Sequence, residues 1–306
     1  MVCALLFLAL ALPAAEVAAP GRVEATSLLG EPLVAPELDP EHRRRQEELL
    51  AAARRELEAR PDDPEAAIWV GRRTAYLGRY REAIEIYSRA LERHPDESRL
   101  LRHRGHRWIT VRELVRATAD LERAAELESG RTDRVEPDGL PNELGIPTST
   151  LHSNIWYHLG LARYLRGDFE GALAAYRACR QAATTADMRV AADYWLYLTL
   201  RRLGHQEEAA ELLSRVTPEL EIIENHDYHR LLLSYRRLYD AHRLWEDASA
   251  EPASVAYATV GYGLGAWHLA EGRPEKAREW FERVVASPTW AAFGYLAAEA
   301  ELARSP

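Results

Sequence analysis

The sequence predicts an all-α protein built from stacked antiparallel helix pairs, and three observations lead there. Ala, Leu, Glu and Arg dominate its 306 residues, and these side chains lose little rotamer freedom in a helix. β-branched residues are sparse and only four Phe occur, which argues against a strand-rich fold. Small and aromatic residues recur in one register along the chain, which is the sign of internal repeats. The formal charge of −9 argues against a nucleic-acid partner held by phosphate neutralisation.

The chain opens on an unbroken apolar run from Val2 to Leu12, followed by Pro13. That is the length of a signal-peptide core and falls short of the roughly 20 residues that span a bilayer. Residues 1–19 are therefore read as a signal peptide, with Ala15 and Ala19 as candidate cleavage points. The mature chain is expected to be exported, periplasmic or secreted, with no transmembrane span. Residues 20–40 contain Pro, lack helical periodicity and read as a linker. Residues 41–306 form the repeat domain. Its first element, Glu41 to Arg60, is a charged amphipathic helix with Leu49, Leu50, Ala53 and Leu57 on one side, suited to cover the first repeat.

The repeat unit is clearest around Gly78 to Ile84, where it contains Gly71, Gly78, Tyr80, Ala83, Tyr87, Ala90 and Pro95. Gly71 and Ala83 are small where two helices cross, and Tyr87 fills the space beside them. Gly78 ends the first helix, and Pro95 follows the second and cannot continue it. Gly105, Ala117 and Ala124 repeat the pattern 34 residues on. A third copy has Trp156, Gly160, Gly167, Phe169, Ala172 and Tyr176. A fourth has Leu196, Gly204, Ala209 and Leu213, and another has Gly265, Gly272, Ala277 and Phe281.

This pattern resembles the tetratricopeptide repeat, a helix-turn-helix unit of 34 residues. The resemblance covers about residues 64–288 and is closest in the third copy. Tyr197 stands where the fourth copy should have its first-helix glycine. The resemblance implies a right-handed superhelical solenoid. Counting in its register places helix pairs near 64–96, 97–128, 153–183, 190–217 and 258–288. From Gly105 to Gly160 is one period plus 21 residues, so an insertion occupies 129–149. From Gly204 to Gly272 is two whole periods, so a degenerate pair is expected at 224–257. A final helix at 290–303 is expected to cap the last pair.

For chemistry the sequence holds no phosphate loop, nucleophile elbow or paired-Cys motif. Cys179 sits inside a helical pattern and reads as a small buried side chain. His226 and His229 are three apart, beside Glu224 and Asp227. They read either as surface histidines behind a helix cap (Asn225 or Asp227) or as part of a metal site lacking a third ligand. No cofactor, metal or catalytic residue is assigned.

The resemblance implies that the first helix of each pair lines a concave groove. In that register Arg72, Arg99, Arg102 and His106 face the groove, followed by Asn154, Tyr157, Tyr194 and Tyr262. A basic end followed by tyrosines suits an acidic or C-terminal carboxylate group of a partner peptide or protein. The family's carboxylate clamp is not matched, because Ile68 stands where that clamp has a lysine. In the insertion, Leu140, Leu144 and Ile146 are expected to dock on the array. The leading reading is a protein-protein interaction scaffold or adaptor of the cell envelope, not an enzyme. The alternatives are a metal-dependent enzyme or metal-binding module around His226 and His229, and a glycan binder using the Trp and Tyr residues.

Overall fold

Residues 21–304 are described by the computed structural model; the apolar opening segment lies outside the described residues. β1 (Val23–Thr26) and β2 (Pro32–Val34) form an antiparallel hairpin, followed by α1 (Pro40–Ala59). Six helix pairs come next among the described residues. They are α2 (Pro64–Tyr76) with α3 (Tyr80–Arg93), α4 (Ser98–Thr110) with α5 (Leu114–Glu128), and α6 (Leu151–Leu165) with α7 (Phe169–Ala182). The array continues with α8 (Ala186–Arg202) and α9 (Gln206–Ser214), α10 (His226–Tyr235) and α11 (Ala241–Ser249), and α12 (Val255–Ala270) and α13 (Pro274–Val285). α14 (Phe293–Arg304) packs on the last pair. The fold is an all-α repeat solenoid.

The residues that define the repeat meet within each pair. A Cβ added at Gly71 would run into the Tyr87 ring, one at Gly105 into Leu121, one at Gly160 into Tyr176 and one at Gly265 into Phe281. Each turn between paired helices closes with the same bond, from the amide three residues past the helix end back to a carbonyl five residues earlier. It runs from Arg79 to Thr74, Glu113 to Trp108, Asp168 to Arg163, His205 to Leu200, Leu238 to Leu233 and Arg273 to His268. The residue before that amide takes positive φ, as this kind of helix end requires. Glycine supplies it at Gly78, Gly167, Gly204 and Gly272, but Arg112 (φ 66°) and Arg237 (φ 60°) supply it in the second and fifth pairs.

The expected linker over 20–40 is instead a structured element. Its strands have four and three residues, too short for an alternating pattern to show. Distant groups hold it. The buried Glu24 carboxylate accepts the Arg81 amide at 2.9 Å, at the start of α3 where Arg79 offers no side-chain cap. The Trp290 indole donates to the Val34 carbonyl at 2.7 Å. The expected docking of Leu140, Leu144 and Ile146 is also corrected: all three are exposed. Polar groups hold the insertion instead, with Arg72 donating to the Pro137 carbonyl at 2.7 Å and Arg73 to that of Gly139 at 2.8 Å.

α14 caps the last pair and also crosses to the other end of the array. Its Glu299, with no exposed surface, bonds the Arg112 guanidinium at 2.5 and 3.2 Å and accepts the Leu28 amide of the hairpin. Arg112 further donates to the carbonyls of Thr110 (2.6 Å) and Trp290 (2.9 Å). Arg304 donates to the Leu165 carbonyl at 2.9 Å, and Arg202 bonds Glu301 at 3.1 Å. α14 thereby lies across part of the concave side.

Two stability outcomes follow. Glu299→Ala leaves the Arg112 charge buried without its partner and should cost about 3–5 kcal/mol in urea unfolding. Arg112→Gly with Glu299→Leu, which removes both charges and the positive-φ side chain, should recover most of that loss. Gly160→Ala forces a Cβ into Tyr176 and should cost about 1–3 kcal/mol, whereas Gly204→Ala acts only through its turn. Equal, small effects from Glu299→Ala and from exposed substitutions would contradict the role given to the ion pair.

Candidate functional site

Beside α14 the concave side holds an open cavity of about 450 Å³, within the roughly 300–1,000 Å³ usual for ligand pockets. α2 contributes Arg72 and Tyr76, α4 contributes Arg102, His103, His106 and Arg107, and α6 contributes Asn154, Tyr157 and His158. Helical spacing of three and four residues puts each set on one face. The far wall comes from Glu224 and Asn225 in the turn before α10, from Asp227 and Tyr228 within it, and from Phe293 at the start of α14. That turn is pinned by Asp187, whose carboxylate accepts the amides of Ile223, Glu224 and Asn225 at 2.8–2.9 Å.

A carboxylate of the chain's own insertion already sits at the basic end. Glu136 is buried and lies 3.2 Å from Arg102 and 3.0 Å from His103, and it accepts from Asn154 at 2.6 Å. Burial alone would raise its carboxyl, but the Arg102 charge and the His103 hydrogen bond reverse this and hold it well below the usual range.

Three imidazoles share this end, and burial, with nearby arginine charge, keeps them neutral: His103 and His158 are lowered to about 3 and His106 falls well below its ordinary value. Their partners fix the tautomers, because guanidinium only donates and carbonyl only accepts. Arg102 donates to His103 Nδ1, so His103 carries its proton on Nε2, towards Glu136. Arg107 donates to His106 Nε2, which leaves Nδ1–H as a donor. His158 Nδ1 donates to the Asn154 carbonyl at 2.6 Å, leaving Nε2 as an acceptor lone pair. The rings are packed together, with His106 and His158 centroids 4.3 Å apart and Phe293 against both.

Of the groove residues expected from the sequence, Arg72, Arg102, His106, Asn154 and Tyr157 line this cavity. Arg99 lies away from it, bonded to Glu97 and Glu65. Tyr194 and Tyr262 are fully buried: the first stacks on Tyr228 at 4.6 Å and the second donates to the Tyr164 hydroxyl at 2.8 Å. Sequence reasoning missed His103, Arg107 and His158, although each is one position beyond a chosen residue. It also missed Glu136, Asp138 and Phe293, which arrive from outside the repeat. Tyr157 bonds both Tyr228 (3.1 Å) and the Trp195 indole (2.9 Å).

The metal alternative finds little support in the placement of its ligands. His229 is buried with Nε2–H donated to the Thr217 carbonyl at 2.8 Å, while His226 is exposed. No group of three or more metal-ligating side chains is assembled among the described residues. Cys179 is buried, its thiol donated to the Ser153 carbonyl at 3.4 Å, and burial pushes it up.

No family model and no curated protein matches the chain. Among solved structures, it is similar to a tetratricopeptide repeat protein from Parabacteroides merdae, with 16% identity and a TM-score of 0.46 over 82% of this chain and 90% of that one. It is also similar to YrrB, described as a TPR protein with an unusual peptide-binding site, with 14% identity and a TM-score of 0.44 over 77% and 91% of the two chains. A third is MamA, with 16% identity and a TM-score of 0.39 over 71% and 93%.

The buried imidazoles set the response to acid. Their folded values lie below the roughly 6.5 of a free histidine, so on acidification the unfolded chain takes up protons first. Stability is complete near pH 7 and falls as pH drops from about 6.5 towards 3, by about 1 kcal/mol per pH unit for each such ring. Glu136, held below its ordinary value, adds to the loss only below the roughly 4.3 of a free glutamate, where the unfolded chain takes its proton first, and so contributes little between pH 7 and 5. Urea midpoints at pH 7, 6 and 5 should fall steadily, and His158→Gln should flatten the slope. Midpoints constant from pH 7 to 5 would contradict neutral burial.

Proposed function

We propose that this solenoid is a protein-interaction scaffold that holds a carboxylate-bearing end of a partner peptide in its concave cavity, and that it works at the cell envelope. The observation that carries the reading is the state of the cavity's arginines. Arg102 is matched by Glu136, but among the described residues neither Arg72 nor Arg107 has a carboxylate partner. Arg72 spends bonds on a carbonyl and on Tyr76, and Arg107 on His106 and the Tyr80 ring. Guanidinium binds carboxylate through paired charge-assisted hydrogen bonds, strongest where water is excluded. The Glu136 site supports the reading, since this surface already holds one such group.

Binding fits the histidines better than catalysis. A ring lowered to about 3 is a poor proton acceptor at neutral pH. What these rings offer is fixed donors and acceptors. The envelope setting rests on the apolar opening, Val2 to Leu12, with Pro13 after it.

Arg102 is a poor probe, because Arg102→Glu would set two carboxylates together in a buried place. Arg72→Ala and Arg107→Ala keep the Glu136 bonds and remove the unmatched charges. Titration with labelled peptides ending in a free carboxylate should show binding that C-terminal amidation and each arginine variant weaken 10- to 100-fold, the ~1.5–3 kcal/mol of a hydrogen bond to a charged group. Amidated peptides that bind equally well would overturn the proposal.

A further inference from the structure

The same cavity carries charge of the other sign that is also unmatched. Asp138, Glu224 and Asp227 all line it, and among the described residues none is within ion-pair distance of a cation. Asp138 Oδ2 is buried with no hydrogen-bond partner. Glu224 accepts only neutral donors, from Thr148 and Asn142. The burial and charges around Asp138 and Asp227 agree: burial raises both carboxyls, Glu224 pushes Asp138 further, and Arg72 only partly opposes this. Asp138 and Asp227 are half-buried and Glu224 is exposed; a carboxylate partly removed from water without a partner is relieved by a cation.

The two signs meet at the insertion tip, where Asp138 follows Pro137, whose carbonyl Arg72 holds, and part from there towards Arg107 on one side and Glu224 and Asp227 on the other. The unmatched guanidiniums stand on α2 and α4, while the carboxylates stand at the insertion tip, in the turn before α10 and in its first turn. α6 and α8 lie between α4 and α10 and supply Tyr157, His158, Met188 and Ala191 to the wall. Within that middle section His158 is only 4% exposed, and its Nε2 lone pair has no partner among the described residues. It is an acceptor waiting for an N–H or O–H donor.

We infer that the cavity takes a short free peptide with both termini charged: its carboxylate at Arg72 and Arg107, an amide N–H on His158 Nε2, and its N-terminal ammonium at Glu224 and Asp227. This rests on the carboxylate reading given above and narrows it from the end of a partner chain to a molecule that ends at both sides. The size agrees, since about 450 Å³ is a small-ligand volume and too little for a folded partner or a helix. Tyr228 and Phe293 provide apolar wall for a side chain between the two ends.

The test uses a panel of tripeptides of varied central side chain, each in free, N-acetylated, C-amidated and doubly blocked forms, titrated calorimetrically against the full chain. Free tripeptides should bind, and acetylation and amidation should each weaken them at least 10-fold. Asp227→Asn should weaken the free form but not the acetylated one, with the melting temperature showing that the variant is folded. Glu224→Gln gives a second reading of the same end. If acetylated and free forms bind alike, the two-ended ligand is overturned while the carboxylate reading stands. If amidated and free forms bind alike, both are overturned. No heat from any free tripeptide at millimolar concentration overturns the two-ended ligand, and labelled longer peptides then decide the carboxylate reading alone.

Discussion

The contact on which the rest of the molecule depends is the buried pair between Arg112 and Glu299. Arg112 stands where four other helix pairs place glycine, so a long charged side chain is held at positive φ in the turn between α4 and α5. Such a backbone costs a non-glycine residue roughly 1–2 kcal/mol, and burying a guanidinium costs more unless each donor is used. Here the donors reach both Glu299 oxygens and the carbonyls of Thr110 and Trp290. The same carboxylate takes the Leu28 amide. One pair thus joins the second helix pair, the hairpin and α14, whose sequence positions are far apart. Without it α14 would cover only the last pair, and the concave side would be an open groove.

This partial cover changes what the concave face can recognise. An open groove accepts a strand or helix of any length that passes through. With α14 across it and the insertion docked from the other side, the remaining space is a cavity with walls on several helices. Phe293 reaches His106, Tyr157 and His158 only because α14 is held there. Water is also reduced, and charge-assisted bonds gain strength in a less polar surrounding. The same exclusion keeps the three imidazoles neutral and so fixes which ring nitrogens donate and which accept.

How much of this was legible in the sequence follows from what kind of residue carried each feature. The repeat was readable because Gly71, Gly160 and Gly265 meet Tyr87, Tyr176 and Phe281 across one helix crossing, a local contact at constant spacing. The fifth pair showed only its length, because Arg237 performs its turn and no glycine marks it. Arg112 hid in the same way: in the register it looks like a lost glycine, and nothing local points to Glu299. The hairpin strands are too short to alternate visibly. Arg72, Arg102, His106, Asn154 and Tyr157 were found because they share a helical face. Tyr194 and Tyr262 were placed on it too, yet aromatic packing took them into the core. Arg99 was drawn aside by Glu97 and Glu65, which no face pattern reveals.

Glu136 shows why the site's charge could not be counted from the repeat alone. It belongs to a segment outside the 34-residue period, yet it neutralises Arg102, receives His103 and Asn154, and decides which arginines remain unmatched. The insertion does not dock through its apolar side chains, which stay in solvent; it docks through carbonyls on Arg72 and Arg73 and through this one carboxylate. Its next acidic residue, Asp138, then faces the cavity with no ion pair among the described residues, and Arg72 offsets its burial only in part. A single extended stretch therefore satisfies the basic end in part and sets a further carboxylate beside it, and the charge pattern of the cavity is a property of the insertion as much as of the helices that frame it.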